Sequence, residues 1–339
     1  MKAAILYKKN EPLVVEHIEL PHTLKFGQVK VRITVSGLCG AQLQEIAGLK
    51  GNEKFMPHLL GHEGCGIVIE VGEGVTKVKQ GDKVVLHWRK GSGIDAPFPI
   101  YKRQGQFMTG NKITTLSEYS IVSENRLTKI DFEVDDDFAA LLGCGLSTGF
   151  SVVNREADVK FGEIVLVLGS GGVGLNCILA AALSQAVVYG VDVRAEKEAL
   201  VKRNGGNYIN LNSLDNWLFN KPKIDVVIDT TGNLDLVSAV LPHLSEQGRA
   251  ILVAQPKAGT QLTVQNPAAF FSTSGQQIKT TQAGGFNPDV DIPRYTRLFL
   301  GGKIDLDGIV THRYALAHIN DAVEELRTGA GVGRIMIYP

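Results

Sequence analysis

Three glycine-set segments carry residue types that bind a borderline-soft metal ion: Ser36-Gly37-Leu38-Cys39-Gly40, Gly61-His62-Glu63-Gly64 and Gly143-Cys144-Gly145. Two thiolates and one neutral imidazole suit Zn2+. Three protein ligands leave a fourth position open to water or substrate, as catalytic zinc requires. The thiolates would also offset the charge of the ion. Taken singly each residue has a blander reading, because an isolated buried cysteine is most often a small core residue. Cys65 and Cys177 are read in that way. His58 and His87 stay open between site and surface.

A second constellation begins at Ile164. Five apolar residues, Ile164 to Leu168, read as a strand buried on both faces of a parallel sheet. The turn Gly169-Ser170-Gly171-Gly172-Val173-Gly174 follows, and Leu175 to Ser184 then repeats apolar residues at helical spacing. Asp192 stands 18 residues after the last glycine. Strand, glycine turn, helix and later acid form the dinucleotide fingerprint. Gly169 would make the tight turn, Gly171 would let backbone approach a pyrophosphate, and Gly174 would allow close helix packing; the helix N-terminus offers free N–H groups to the phosphates. With 38 glycines in the chain a bare match would be weak, and the flanking strand and helix give it weight. A carboxylate at 192 can accept ribose hydroxyls and repel a 2′-phosphate, which favours NAD over NADP. Arg194 keeps NADP in view.

The elements that must position these residues fall into two patterns. A chain of 339 residues exceeds one ordinary core, so two domains are expected. Residues 1–145 read as mostly β. Val29, Val31, Ile33 and Val35 alternate with polar residues, as do Ile67, Ile69 and Val71, and Val84 to Leu86 follow a Gln80-Gly81-Asp82 turn. The stretch 87–112 has little periodicity and reads as a long surface loop. From 146 to 282 strands and helices alternate, with candidate strands at 164–168, 187–191, 207–210, 225–229, 250–254 and 278–282. This is the rhythm of a doubly wound α/β sheet. Residues 283–339, with a helical stretch near Ile319–Arg327 and a strand at Arg334–Tyr338, are expected to return to the first domain. The nucleotide domain would then be an insertion.

Bulk properties narrow the class. Lys+Arg and Asp+Glu are both 35, so charge gives no reason to expect nucleic acid or an anionic membrane as partner. No apolar run is long enough to span a bilayer, and Met1 to Tyr7 reads as a first strand rather than a signal peptide core. A cytoplasmic protein is expected. Four scattered cysteines show no disulfide framework.

The order Gly-x-Cys-Gly, Gly-His-Glu, Gly-Cys-Gly-x-Ser-Thr-Gly and Gly-x-Gly-Gly-x-Gly resembles the zinc-containing medium-chain alcohol dehydrogenases. The likeness runs essentially end to end, through Gly64 to Val68, Val71 to Val75, Gly81 to Val84, Leu116 to Tyr119 and Gly333-Arg334. It implies a GroES-like catalytic domain joined to a Rossmann domain, with the active site in the cleft between them. It also implies one catalytic zinc on Cys39, His62 and Cys144, with Glu63 beside it or ligating transiently. By the same resemblance Thr148 would lie against the nicotinamide, Lys197 near the adenosine ribose, Arg334 on the pyrophosphate and Trp88 in the substrate pocket. A homodimer or homotetramer, built by edge pairing of the nucleotide domains, is implied.

Three departures qualify it. Residues 87–112 contain no cysteine, so the family's second, structural zinc should be absent. Ala41 replaces the Ser or Thr that passes on the substrate proton, which must leave through water, the cofactor ribose or a substrate hydroxyl. Gln42 replaces an Asp that orients the zinc-binding imidazole; an amide is expected to accept the same N–H without the charge. The sequence thus reads as a zinc- and NAD-dependent dehydrogenase of a secondary alcohol, and Gln42, Gln44 and Trp88 point toward a polyol or sugar derivative. Arg89, Lys90, Lys102 and Arg103 are read as solvated loop charges, with an anionic substrate as the alternative. Two other functions are weighed: a zinc-free NAD(P)H reductase of the same superfamily, and a catalytically inactive nucleotide-binding protein.

Overall fold

The computed structural model describes residues 1–50, 56–220, 223–265, 267–268, 272 and 275–339. The chain divides into two compact units, Met1–Gly145 with Asn287–Gly302 and Val310–Pro339, and Leu146–Phe286 with Lys303–Ile309. The return segment read as 283–339 therefore starts at Asn287, and Lys303–Ile309 belongs with the second unit. Arg203 explains the excursion, since it pairs with Asp305 and Asp307 while Asn204 donates to the Gly308 carbonyl. No helix among the described residues is long and apolar enough to cross a membrane.

In the first unit the strand Gln28–Leu38 is central. It pairs antiparallel with Glu63–Val71, Tyr119–Ser123 and Arg334–Tyr338. Its alternating valines are wholly buried at positions 29, 31 and 35, and Val29 and Val31 pack with Val68, Val84 and Leu86. Register then decides what gathers at one end of the sheet. Ser36 lies opposite Gly64, Ile335 opposite Leu38, and Glu63 opposite His87. Cys39, His62, Trp88 and Arg334 consequently all leave the sheet at the same end. The helix Asp136–Leu141, capped by the Asp135 carboxylate on Phe138 N–H, packs against the same strands and delivers Cys144 just beyond its end.

The stretch 87–112 departs from the long loop expected. It holds a hairpin, Ile100–Arg103 with Gln106–Thr109, turned by Gln104 and Gly105 at φ +47° and +79°. Positive φ at both turn residues matches the right-handed twist of the strands. Tyr101 and Met108 face each other and are buried. The return segment also holds a helix, Pro288–Leu300, and a strand, Val310–Ala315, beyond the helix and strand read from periodicity.

The second unit carries a parallel sheet of six strands among the described residues: Ile164–Leu168, Val187–Asp192, Asn207–Asn210, Ile224–Asp229, Leu244–Leu252 and Gln277–Thr280. Numbered in chain order they lie 3-2-1-4-5-6, the doubly wound order, whose switch point falls between the first and fourth strands. The fifth begins earlier than its apolar run suggested, because polar Ser245, Glu246 and Gln247 precede the core residues Ala250 and Ile251. The switch point places the glycine turn after Leu168 where ligands of such sheets bind.

Candidate active-site clusters

The structure brings the Cys39, His62 and Cys144 ligand atoms within 4.8 Å of one another. Cys39 is the N-cap of the helix Gly40–Ile46. The Gln42 side chain turns back to that cap, its Oε1 accepting from Cys39 N–H at 3.0 Å and its Nε2 lying 2.6 Å from His62 Nδ1. Gln42 was expected to accept the imidazole N–H; the amide oxygen is instead taken by the cap, and the amide nitrogen faces the ring. Behind His62, the Ser36 and Thr115 hydroxyls each donate to the Glu63 carbonyl at 3.1 Å and sit 2.7 Å apart, which pins the backbone.

The donor set suits a bound metal. A hydrogen bond from the Cys144 thiol, opposed by burial and reinforced by a hydrogen bond from His62, holds the Cys39 thiol well below its ordinary range. Burial instead pushes the Cys65 thiol up to about 12 and Cys177 higher still. The thiolate is the metal ligand, so of these three thiols Cys39, the one in the cluster with Cys144, is poised to ligate. Both bland cysteines are wholly buried.

Glu63 is fully buried beside the cluster. Its Oε2 accepts from Gly145 N–H at 2.7 Å, and its other oxygen forms an ion pair with the buried Arg334 guanidinium. The Arg334 Nε is buried without a hydrogen-bond partner. Trp88 packs partly buried against the Val84 and Leu86 cluster, with the Arg89 guanidinium 5.7 Å from its ring and its indole N–H buried and unpartnered. The other basic residues of this lobe are engaged: Lys90 pairs with Asp95, Arg103 with Glu16, and Lys102 lies over the Phe107 ring.

In the second unit Gly169 sits at φ +89°, a conformation L side chains rarely adopt. A Cβ on Gly174 would overlap the Gly169 carbonyl oxygen, so the helix Gly172–Leu183 can approach the turn only with glycine there. Gly171 opens that helix, and a Cβ on it would meet nothing within 4 Å. Val173 is half-buried in the first turn. This open helix start fits a cradle for a phosphate-bearing cofactor, and the Thr148 hydroxyl in the same unit is buried and unpartnered.

Asp192 does more than the sequence suggested. Its Oδ2 accepts from Ser170 N–H at 2.8 Å and from Lys197 Nζ at 3.1 Å, and its Oδ1 accepts from Arg194 N–H at 3.2 Å. Lys197 thus pairs with the acid. A carboxylate has about four acceptor sites, leaving room for a ribose hydroxyl. Tyr208, whose hydroxyl donates to the Asp192 carbonyl at 3.1 Å, was not singled out from the sequence, nor were Ser36 and Thr115. Each acts through a backbone group far from it in sequence and carries no local signal.

Comparison with known proteins finds relatives for both parts of the chain. The family model for the alcohol dehydrogenase GroES-like domain matches residues 25–132, and that for zinc-binding dehydrogenase matches 172–290. The chain is 30% identical to alcohol dehydrogenase 6 of Peromyscus maniculatus, over 99% of this chain and 97% of that one. It is 28% identical to an S-(hydroxymethyl)glutathione dehydrogenase of Escherichia coli, over 99% of each. A solved alcohol dehydrogenase zinc-binding domain protein from Burkholderia ambifaria superposes with a TM-score of 0.90 at 23% identity, over 99% of this chain and 98% of that one.

Proposed function

The chain belongs to the zinc-containing medium-chain alcohol dehydrogenase family, and on that premise we propose that it is a zinc- and NAD-dependent dehydrogenase of a secondary alcohol. The observation that carries the reading is the convergence of Cys39, His62 and Cys144 within 4.8 Å. Bound zinc would supply Lewis acidity toward an alcohol or carbonyl oxygen, and bound NAD an acceptor for hydride. The chain's own residues do the rest. Cys39 and Cys144 supply negative charge, His62 a neutral donor, and the buried Glu63–Arg334 pair an adjacent fixed charge pattern. The glycine turn and helix start bind phosphates, and Asp192 favours a 2′-hydroxyl over a 2′-phosphate. Ala41 offers no hydroxyl for the alcohol proton, so that proton leaves through water, the cofactor ribose or the substrate itself. A substrate rich in hydroxyls, a polyol or sugar derivative, fits both this and the Gln44 amide, whereas the Gln42 amide is already taken by Cys39 N–H and His62.

The proposed assembly is a homodimer or homotetramer acting in the cytoplasm, with the edge strand Gln277–Thr280 as the pairing edge. The test is zinc content of protein purified without chelators, followed by NAD reduction across a panel of polyols and secondary alcohols. One zinc per chain is expected. In Cys144→Ser both zinc and turnover should be lost while NAD still binds. Unchanged turnover in that variant overturns the proposal. Zinc near zero even after reloading would favour the zinc-free reductase.

A further inference from the structure

We propose that Gln42 holds His62 in the tautomer that carries its proton on Nε2, so that ligation of zinc through Nε2 costs the Cys39 N-cap and the metal is bound less tightly than a carboxylate at position 42 would allow. This rests on the zinc reading above and adds a positioning residue to it.

The argument is one of donors and acceptors. Cys39 N–H can only donate, so the amide atom 3.0 Å from it must be Oε1. Rotating the amide by half a turn would set two donors against each other. The atom 2.6 Å from His62 Nδ1 is then Nε2, which also can only donate. Nδ1 must accept, and a neutral imidazole accepting there carries its proton on the other nitrogen. That proton has an acceptor at hand, since His62 is a hydrogen-bond partner of the Cys39 sulfur. Gln42 is 1% exposed, so bulk solvent does not reach the amide.

Ligation reverses the requirement. A metal takes the lone pair of Nε2, and the proton must move to Nδ1, where a ligating imidazole normally meets a carboxylate or carbonyl acceptor. The single amide oxygen cannot serve both Nδ1–H and Cys39 N–H from its present place. Either two N–H groups oppose each other at His62, or the amide turns and the cap of the Gly40–Ile46 helix is given up. Glutamate has the same length and two acceptor oxygens. Gln42→Glu satisfies both groups at once.

The test uses full-length protein with 15N-labelled histidine, His62 being identified by the signal lost in His62→Asn. In chelator-stripped wild type the His62 nitrogens should report Nε2–H, and zinc should shift the proton to Nδ1. A proton on Nδ1 before zinc is added overturns the proposal. Chelator competition should show zinc held at least about tenfold more tightly by Gln42→Glu, within the range usual for groups that support a ligand. Gln42→Met neither donates nor accepts at Nδ1 and separates relief of the donor from added charge. Its zinc affinity should match or exceed wild type, and a fall overturns the proposal. Zinc binding by none of these proteins overturns the zinc reading, a separate result because the tautomer is read without metal.

Discussion

At the scale of single residues, the glycine turn separates two kinds of constraint that look alike in sequence. Gly174 is required by the protein itself, because a methyl there would strike the Gly169 carbonyl oxygen. Gly171 has no such neighbour within 4 Å. Gly174→Ala should therefore destabilise the second unit by about 1–3 kcal/mol, the usual effect of overpacking. Gly171→Ala should unfold like wild type yet bind NAD at least about tenfold more weakly, a difference of about 1.4 kcal/mol, because the methyl intrudes where phosphates meet the helix start. Denaturant unfolding and a cofactor fluorescence titration of both variants check this pair. Full NAD affinity in Gly171→Ala would remove the helix start from the binding site. The types of the metal-binding and turn residues were legible because cysteine, histidine and glycine do few things as economically. The direction of the Gln42 amide was not, since it depends on a backbone N–H three residues back and a ring twenty residues on.

At the scale of elements, legibility followed periodicity. The central strand and the first strand of the parallel sheet announced themselves through apolar alternation and an apolar run. The 100–109 hairpin did not, because only Tyr101 and Met108 face inward and each strand is four residues long. The helix Pro288–Leu300 was masked by Pro293 inside it and by Asp289 and Asp291. Its buried face, Ile292, Tyr295 and Thr296, is recognisable once the helix is known. Tyr101 anchors the hairpin: its ring packs with Ile5, Ile18 and Leu59, and its hydroxyl accepts from Ile121 N–H at 3.2 Å. Tyr101→Ala should cost about 3–5 kcal/mol, as for other buried aromatic truncations. Denaturant unfolding of the zinc-loaded protein measures this. A loss below about 1 kcal/mol, the range of surface substitutions, would mean that the hairpin is an appendage rather than part of the core.

At the scale of the whole molecule, the sheet register does what no local pattern could reveal. It collects Cys39, His62, Trp88 and Arg334 at one end of one sheet from segments separated by most of the chain. It also buries His87 opposite Glu63. His87 Nδ1 lies 2.7 Å from the Arg89 carbonyl, which can only accept, so Nδ1 carries the proton and Nε2 accepts from the Thr128 hydroxyl at 3.0 Å. The neutral ring is satisfied on both sides. Burial pushes the imidazole down to about 4, from 6.5, with the Arg89 hydrogen bond only partly opposing it. Since the folded value lies below the unfolded one, the unfolded chain takes up the proton first as pH falls. The contribution is complete above about pH 6.5 and is lost progressively toward about pH 4, amounting to on the order of 3 kcal/mol. In chelator-stripped protein, unfolding free energies at about pH 7.5 and about pH 5 should fall by about 2 kcal/mol more in wild type than in His87→Gln, whose side chain has no proton to gain. Equal losses in the two proteins would place the acid sensitivity of the molecule elsewhere than in this buried ring.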